Sequence, residues 1–243
     1  STANLTETFE PRGLLIEEAR TNSVRLSNDF GNGTHNIGSL VAVTVESTSA
    51  VTAPDGSSDA TLLKEAGTFN IHGVYAYHAY LNVPANTTQT WSLFVKPIAT
   101  DRNITLKSYA MGGDSFYATF NLNNGSIFVD AGASGTSTTG AAWTTGGAFI
   151  EPHANGWYRI GIKNITSDAI WRPQVLSQTV TNTSSGGGFT GVADKEIAYF
   201  WGIQIEAGAF PTSYIENLTT GSVTRAADVA SITGDNFGTY RTN

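Results

Sequence analysis

The strongest constraint on what this chain can fold into is a succession of short alternating or β-branched runs, each closed off by turn chemistry. Val41–Ser47 reads VAVTVES, and Thr90–Lys96 reads TWSLFVK, with Trp91, Leu93 and Val95 on one face. Val74–Val83, Ile104–Ala110, Phe116–Leu122, Ser126–Asp130, Ala148–Glu151, Trp157–Asn164 and Ile197–Glu206 continue the series. Side chains of a strand point alternately to opposite faces, so each run predicts a half-buried strand. Pro54-Asp55-Gly56, Gly112-Gly113-Asp114, Asn155-Gly156 and Ser184–Gly188 supply the turns between them. At Asn124-Gly125 the pair predicts a two-residue type I′ hairpin, because both central positions of that turn need positive φ. No stretch carries a convincing helical period, although a short helix at Ile16–Arg20 stays open, and no fixed repeat argues for a propeller or solenoid. The expectation is all-β: one antiparallel β-sandwich, a jelly roll in connection, over residues 23–216. An N-terminal arm or edge strand (1–22) precedes it and a C-terminal linker or docking strap (217–243) follows.

Composition narrows the function classes. With no cysteine, the chain has neither a disulfide framework nor a thiolate site. Charged residues make up 14% of it, against about 25% in a typical domain, leaving a neutral skin rich in Thr, Ser, Asn and Gly. A net charge of −7 with only 13 Lys and Arg argues against nucleic acid, whose phosphates require clustered cations. No apolar run approaches the roughly 20 residues that cross a bilayer, so membrane insertion is not expected. Motifs of nucleophile elbows, zinc proteases and phosphate loops are missing as well. Glu46, Asp130, Glu151, Glu196 and Glu206 lie on expected strands, but no motif pairs them as a glycosidase would, and we expect no enzyme.

Three segments carry a resemblance. Gly13–Asn22 reads GLLIEEARTN, Gly156–Arg159 reads GWYR, and Trp201–Val229 runs WGIQIEAGAFPTSYIENLTTGSVTRAADV. Together, and in this order, they resemble the opening, late-middle and closing segments of a β-sandwich module of bacteriophage tail and head-spike or fibre proteins. That resemblance implies a non-catalytic virion structural protein on the particle surface, in a spike, fibre or tail appendage, assembled in the host cytoplasm. It further implies a sandwich similar to carbohydrate-binding modules that adsorbs to host-surface polysaccharide. Its partners would be other copies of itself, as a homotrimer, and other virion proteins. Capsid decoration or scaffolding, with the sandwich used only for subunit contacts, is the alternative, as is the binding module of a secreted polysaccharide-degrading enzyme.

Sugar binding needs flat aromatic faces beside amides and charges. Trp91, Phe94, Phe120, Trp157, Phe200 and Trp201 sit inside strand patterns and read as core. The candidates for a carbohydrate platform are therefore Trp143, isolated in a Gly/Thr-rich loop, with Tyr75, Tyr77, Tyr109, Tyr117 and Trp171. Likeness to carbohydrate-binding jelly rolls also implies one structural Ca2+. Its candidate ligands are Glu17 and Glu18 in the opening segment, Asp55 and Asp59 in the PDGSSD loop, and Glu206 in the closing strand. Asp55 is explained equally well as a turn residue. Phe210–Ile215 is expected to cover an open sheet edge.

Overall fold

The computed structural model describes residues 15–30, 39–48, 50–75, 81–82, 87–110, 115–134, 147–165, 170–181 and 187–229. Their strands are β1 (Arg20–Asn22), β2 (Ser39–Val41), β3 (Val43–Thr48), β4 (Ala60–Glu65), β5 (Phe69–Asn70), β6 (His72–Tyr75), β7 (Leu81–Asn82) and β8 (Thr88–Pro97). There follow β9 (Arg102–Ala110), β10 (Ser115–Asn121), β11 (Ser126–Ser134), β12 (Ala148–Pro152), β13 (Tyr158–Ile165), β14 (Ile170–Thr179), β15 (Phe189–Thr190), β16 (Lys195–Ala207) and β17 (Val223–Arg225). The fold is an antiparallel β-sandwich. Its larger sheet has the order β11-β10-β9-β14-β6-β2, with β7 also on β14, and its smaller sheet the order β12-β13-β8-β16-β4-β3. Pairing is nested: β4 lies against β16, β6 against β14, and β8 against β13.

One expected strand is cut in two. Ala42 stands at φ 50°, so VAVTVES breaks there: Val41 ends β2 in the larger sheet and Val43 begins β3 in the smaller. A left-handed alanine is uncommon, and both sheets hold it. The Ala42 carbonyl accepts the Ala66 N–H at 2.9 Å just after β4, and lies 2.8 Å from His72 Nδ1 at the start of β6.

Between the sheets, Trp91, Leu93 and Val95 of β8 meet Ile104 and Leu106 of β9, Phe120 of β10, Val175 of β14, Ile160 of β13 and Ile205 of β16. β8 is nevertheless not half buried, as alternation predicts, because the outer face of the smaller sheet is covered too. There Phe94, Trp157 and Trp201 pack with Val51, Ala53 and Ala60 in a second core. The covering loops accept the indole protons: Trp157 Nε1 donates to Thr52 O at 3.0 Å and Trp201 Nε1 to Asp59 Oδ1 at 2.9 Å. Burying a Phe-sized side chain contributes about 1.5–3 kcal/mol, so three such rings make this cover part of the fold's stability.

The β10–β11 hairpin forms, but not by the expected turn. Asn121 pairs with Ser126, leaving Leu122 to Gly125 as a four-residue loop in which Gly125 alone has positive φ. Leu122 explains the difference: it is 3% exposed in the main core, and drawing it inward ends the ladder early. Asn121 Oδ1 then accepts the Asn123 N–H at 3.0 Å to start the bend.

Candidate functional site

The face of the larger sheet that points away from the core is set by strand parity. Val74, Val175, Leu106 and Ala118 are cross-strand neighbours and all belong to the core. One residue along, Tyr75, Gln174, Lys107 and Tyr117 form the adjacent rung, so they lie on the outer face. Tyr75 and Tyr117 stand three strand spacings or about 14 Å apart in this row, which runs on to Ser39 of β2 and Gly132 of β11. Lys107, Gln174 and Tyr117 are partly exposed. Burial pushes the Lys107 ammonium below its ordinary value, since removing its hydration disfavours the charged form. On one side the next rung of like parity is Thr119–Thr105–Leu176, wholly or almost wholly buried, with the Thr105 and Thr119 hydroxyls bonded at 2.7 Å. A phenol, an amide and an ammonium in a row offer donors, acceptors and a ring face to a polyhydroxylated ligand.

Among the expected aromatics, Tyr117 is the one whose described ring stands on this face with partial exposure. Tyr75 shares the rung but is 6% exposed, which corrects its place as an open platform: its ring is packed away from solvent. Tyr109 is in β9, paired with Ser115 and Arg172, two residues on from Lys107. Trp171 is in β14, paired with Ala110 and Leu81. Tyr77 and Trp143 lie outside the described residues. Lys107 and Gln174 went unnoticed in the sequence, although ITLKSYA alternates polar residues at Thr105, Lys107 and Tyr109 and so marks the face.

The five acidic candidates do not come together, and among the described residues no three His, Asp or Glu side chains are placed to share a metal ion. Each acid has protein donors instead. Glu17 accepts the Ser213 N–H at 2.7 Å and Arg225 at 2.6 Å, and Glu18 pairs with Arg20. Asp55 caps its own turn through the Ser57 N–H at 2.9 Å, while Asp59 takes Trp201 Nε1 and, at 2.9 Å, Asn28 Nδ2. Glu206 is wholly buried: Oε1 accepts Gln204 Nε2 at 2.6 Å and the Thr212 N–H at 2.9 Å, and Oε2 accepts the Thr212 hydroxyl at 2.8 Å.

Glu206 belongs to a polar corner where all three resemblance-bearing segments meet. Arg159, from GWYR, donates to Thr212 O at 2.7 Å and to Ser92 Oγ at 3.1 Å, with its guanidinium 5.3 Å from the Phe94 ring centre. Burial lowers its pKa from the ordinary arginine value, opposed by the nearby Glu206 charge. Gln204 Oε1 accepts the Ile215 N–H at 2.6 Å. From ARTN, Asn22 donates to Ile203 O at 3.1 Å and Ile215 O at 2.9 Å, and accepts the Val24 and Ile205 N–H groups at 3.0 and 3.2 Å. The segment around Thr212 thus lies over the outer face of the smaller sheet rather than along an edge, because that face carries Arg159, Gln204 and Glu206, which require partners. The expected strap begins by pairing with the chain's own arm as β17 on β1, with Arg20 opposite Arg225. No family model matches this chain, and no curated protein matches it.

Proposed function

We propose that this protein is a structural component of a bacteriophage particle, in a spike, fibre or tail appendage, whose jelly-roll sandwich is a non-catalytic module that adsorbs to host-surface glycan. The observation that carries this reading is the convergence of GLLIEEARTN, GWYR and WGIQIE…TRAADV on one corner, where Asn22, Arg159, Gln204 and Glu206 satisfy one another's segments. Residues this far apart in the chain that complete a single hydrogen-bonded closure are what a shared architecture would demand, which supports reading the resemblance as that of a common module. The nested pairing of β4 with β16, β6 with β14 and β8 with β13 supports the jelly-roll connection. Glycan contact is assigned to the outer face of the larger sheet at Tyr117, Lys107 and Gln174. Binding there would be shallow, and a trimer on a particle carrying many copies would supply strength through avidity.

Capsid decoration or scaffolding is favoured instead by the burial of Tyr75 and by exposed apolar side chains near the chain ends, Leu15 at 67%, Ile16 at 57% and Phe210 at 57%. Binding of the labelled protein, clustered on beads, to a panel of bacterial-surface polysaccharides separates the two readings, with Tyr117→Ala and Trp143→Ala alongside. Saturable, glycan-selective binding that weakens in Tyr117→Ala is the expected result. A flat response across the panel, with avidity restored by the beads, leaves the scaffold.

A further inference from the structure

Between the β1–β17 ribbon and the adjoining end of the smaller sheet is a cleft of about 890 Å3. That volume falls within the roughly 300–1,000 Å3 typical of small-molecule sites. Arg20 and Thr21 of β1, Thr88 and Gln89 of β8, and Gly208 line it. Its wall is rich in hydroxyls and carries two arginines, Arg20 and Arg25, with Glu18, in a protein whose net charge is −7.

Arg20 is seated with unusual definition. Its side chain is 9% exposed, and its Nε–H is shielded from solvent with no hydrogen-bond partner among the described residues. Phe210 lies against the guanidinium, 5.4 Å from Cζ to the ring centre. Gly208, at φ 139°, makes room for it: a Cβ there would stand 1.6 Å from Arg20 Nη1 and 2.2 Å from Cζ. Two bonds hold that glycine, from its N–H to Thr88 O at 2.8 Å and from the Thr90 hydroxyl to its own carbonyl at 2.8 Å. At the opposite end of the guanidinium, Nη2 pairs with Glu18, whose carboxylate is 60% exposed. A guanidinium presents Nε and Nη2 side by side, the spacing of one carboxylate's two oxygens. In Arg20 only Nη2 of that pair is used.

We propose that this cleft binds an acidic saccharide of the uronate type. The sugar carboxylate displaces the exposed Glu18 side chain and takes Nε and Nη2 of Arg20 together, while its hydroxyls meet Thr21 and Thr88. The site is distinct from the Tyr117–Lys107 face. It rests on the adsorption reading only for glycan as the source of the ligand.

The test titrates the full chain with trigalacturonate and with neutral galactotriose by calorimetry. The expected result is selective binding of the acidic trisaccharide that weakens as salt rises, is strengthened by Glu18→Gln, and falls by about tenfold or more in Arg20→Gln, the loss of one charge-assisted bidentate contact. Because Arg20→Gln can also disturb the ribbon, Ala209→Trp, an exposed position on the cleft wall, is the second variant, and it too should abolish binding. Equal binding of the two trisaccharides, acidic binding that survives Ala209→Trp, or no trigalacturonate binding even in Glu18→Gln would each overturn the proposal. Adsorption to a neutral polysaccharide without trigalacturonate binding removes the cleft and keeps the adsorption reading. Trigalacturonate bound in the cleft, with polysaccharide adsorption unmoved by Tyr117→Ala, keeps the cleft and removes the sheet face.

Discussion

Two buried carboxylates in this molecule are stabilised by different means. Glu65, at the end of β4, is 2% exposed and holds Arg102 in a two-pronged pair, Nε to Oε1 at 2.6 Å and Nη2 to Oε2 at 2.9 Å. Ser177 of β14 adds a bond at 2.9 Å, and the Val192 N–H one at 3.3 Å. Glu206 is just as buried, yet its oxygens accept only from neutral groups, the Gln204 amide and the Thr212 N–H and hydroxyl. The contrast follows from what each acid joins. Glu65 reaches from the smaller sheet to Arg102 of β9 and Ser177 of β14 in the larger, and a countercharge offsets its desolvation. Glu206 faces a loop passing over the sheet, where Thr212 offers both a backbone and a hydroxyl donor and the Arg159 charge lies nearby.

Breaking the first arrangement should have the largest effect. Arg102→Met leaves Glu65 buried without its cation and is expected to cost about 3–5 kcal/mol in urea unfolding. The double variant Glu65→Leu/Arg102→Met should recover most of that loss; a double variant as unstable as the single one would show that the pair is not what sets the cost. Sharpening the second comes next. Glu206→Gln removes the charge and one acceptor, and about 1–3 kcal/mol is expected, with faster amide exchange confined to the segment around Thr212 and Ile215. Exchange that rises equally in β9 and β14 would mean the corner is not a separate closure.

The smallest effect is on the acid limb of stability. Lys195 hydrogen-bonds Asp101 and, with Arg102 nearby, lowers its pKa from the ordinary 3.8. A depressed folded pKa gives stability that is complete above the unfolded value and is lost as pH falls through the folded one. Asp101→Asn should therefore flatten the stability profile below about pH 3.8, and change it by under about 1 kcal/mol, because the carboxylate is exposed and screened. A profile that keeps its slope there would assign the acid sensitivity to other groups.

Much of the strand series was legible because one face of most strands meets the main core and leaves an alternating record. TWSLFVK shows it well: Trp91, Leu93 and Val95 all enter the core. One strand that was missed is β14, in the interior of the larger sheet, where Pro173 in IWRPQVLSQT reads as a breaker. There Pro173 pairs with Ser108 inside the ladder and the strand continues. β4 was missed for the opposite reason: buried along nearly its whole length, ATLLKE has no alternation to read. For the outer face, Tyr117 was visible as an aromatic of polar parity, whereas its neighbours Lys107 and Gln174 come from strands whose adjacency no local pattern encodes.

What the amino-acid order determined by itself is the all-β class, the positions of most strands and turns, and which large rings are core, since these follow from local periodicity and side-chain transfer from water. Tertiary structure alone decided that Ala42 passes the chain between sheets, that Leu122 shortens the hairpin ladder, that Phe210–Ile215 lies on a face rather than an edge, and which protein donors the acids at 17, 18, 55, 59 and 206 find. Those outcomes depend on which distant groups offer a buried donor or acceptor its partner, and that pairing has no local period.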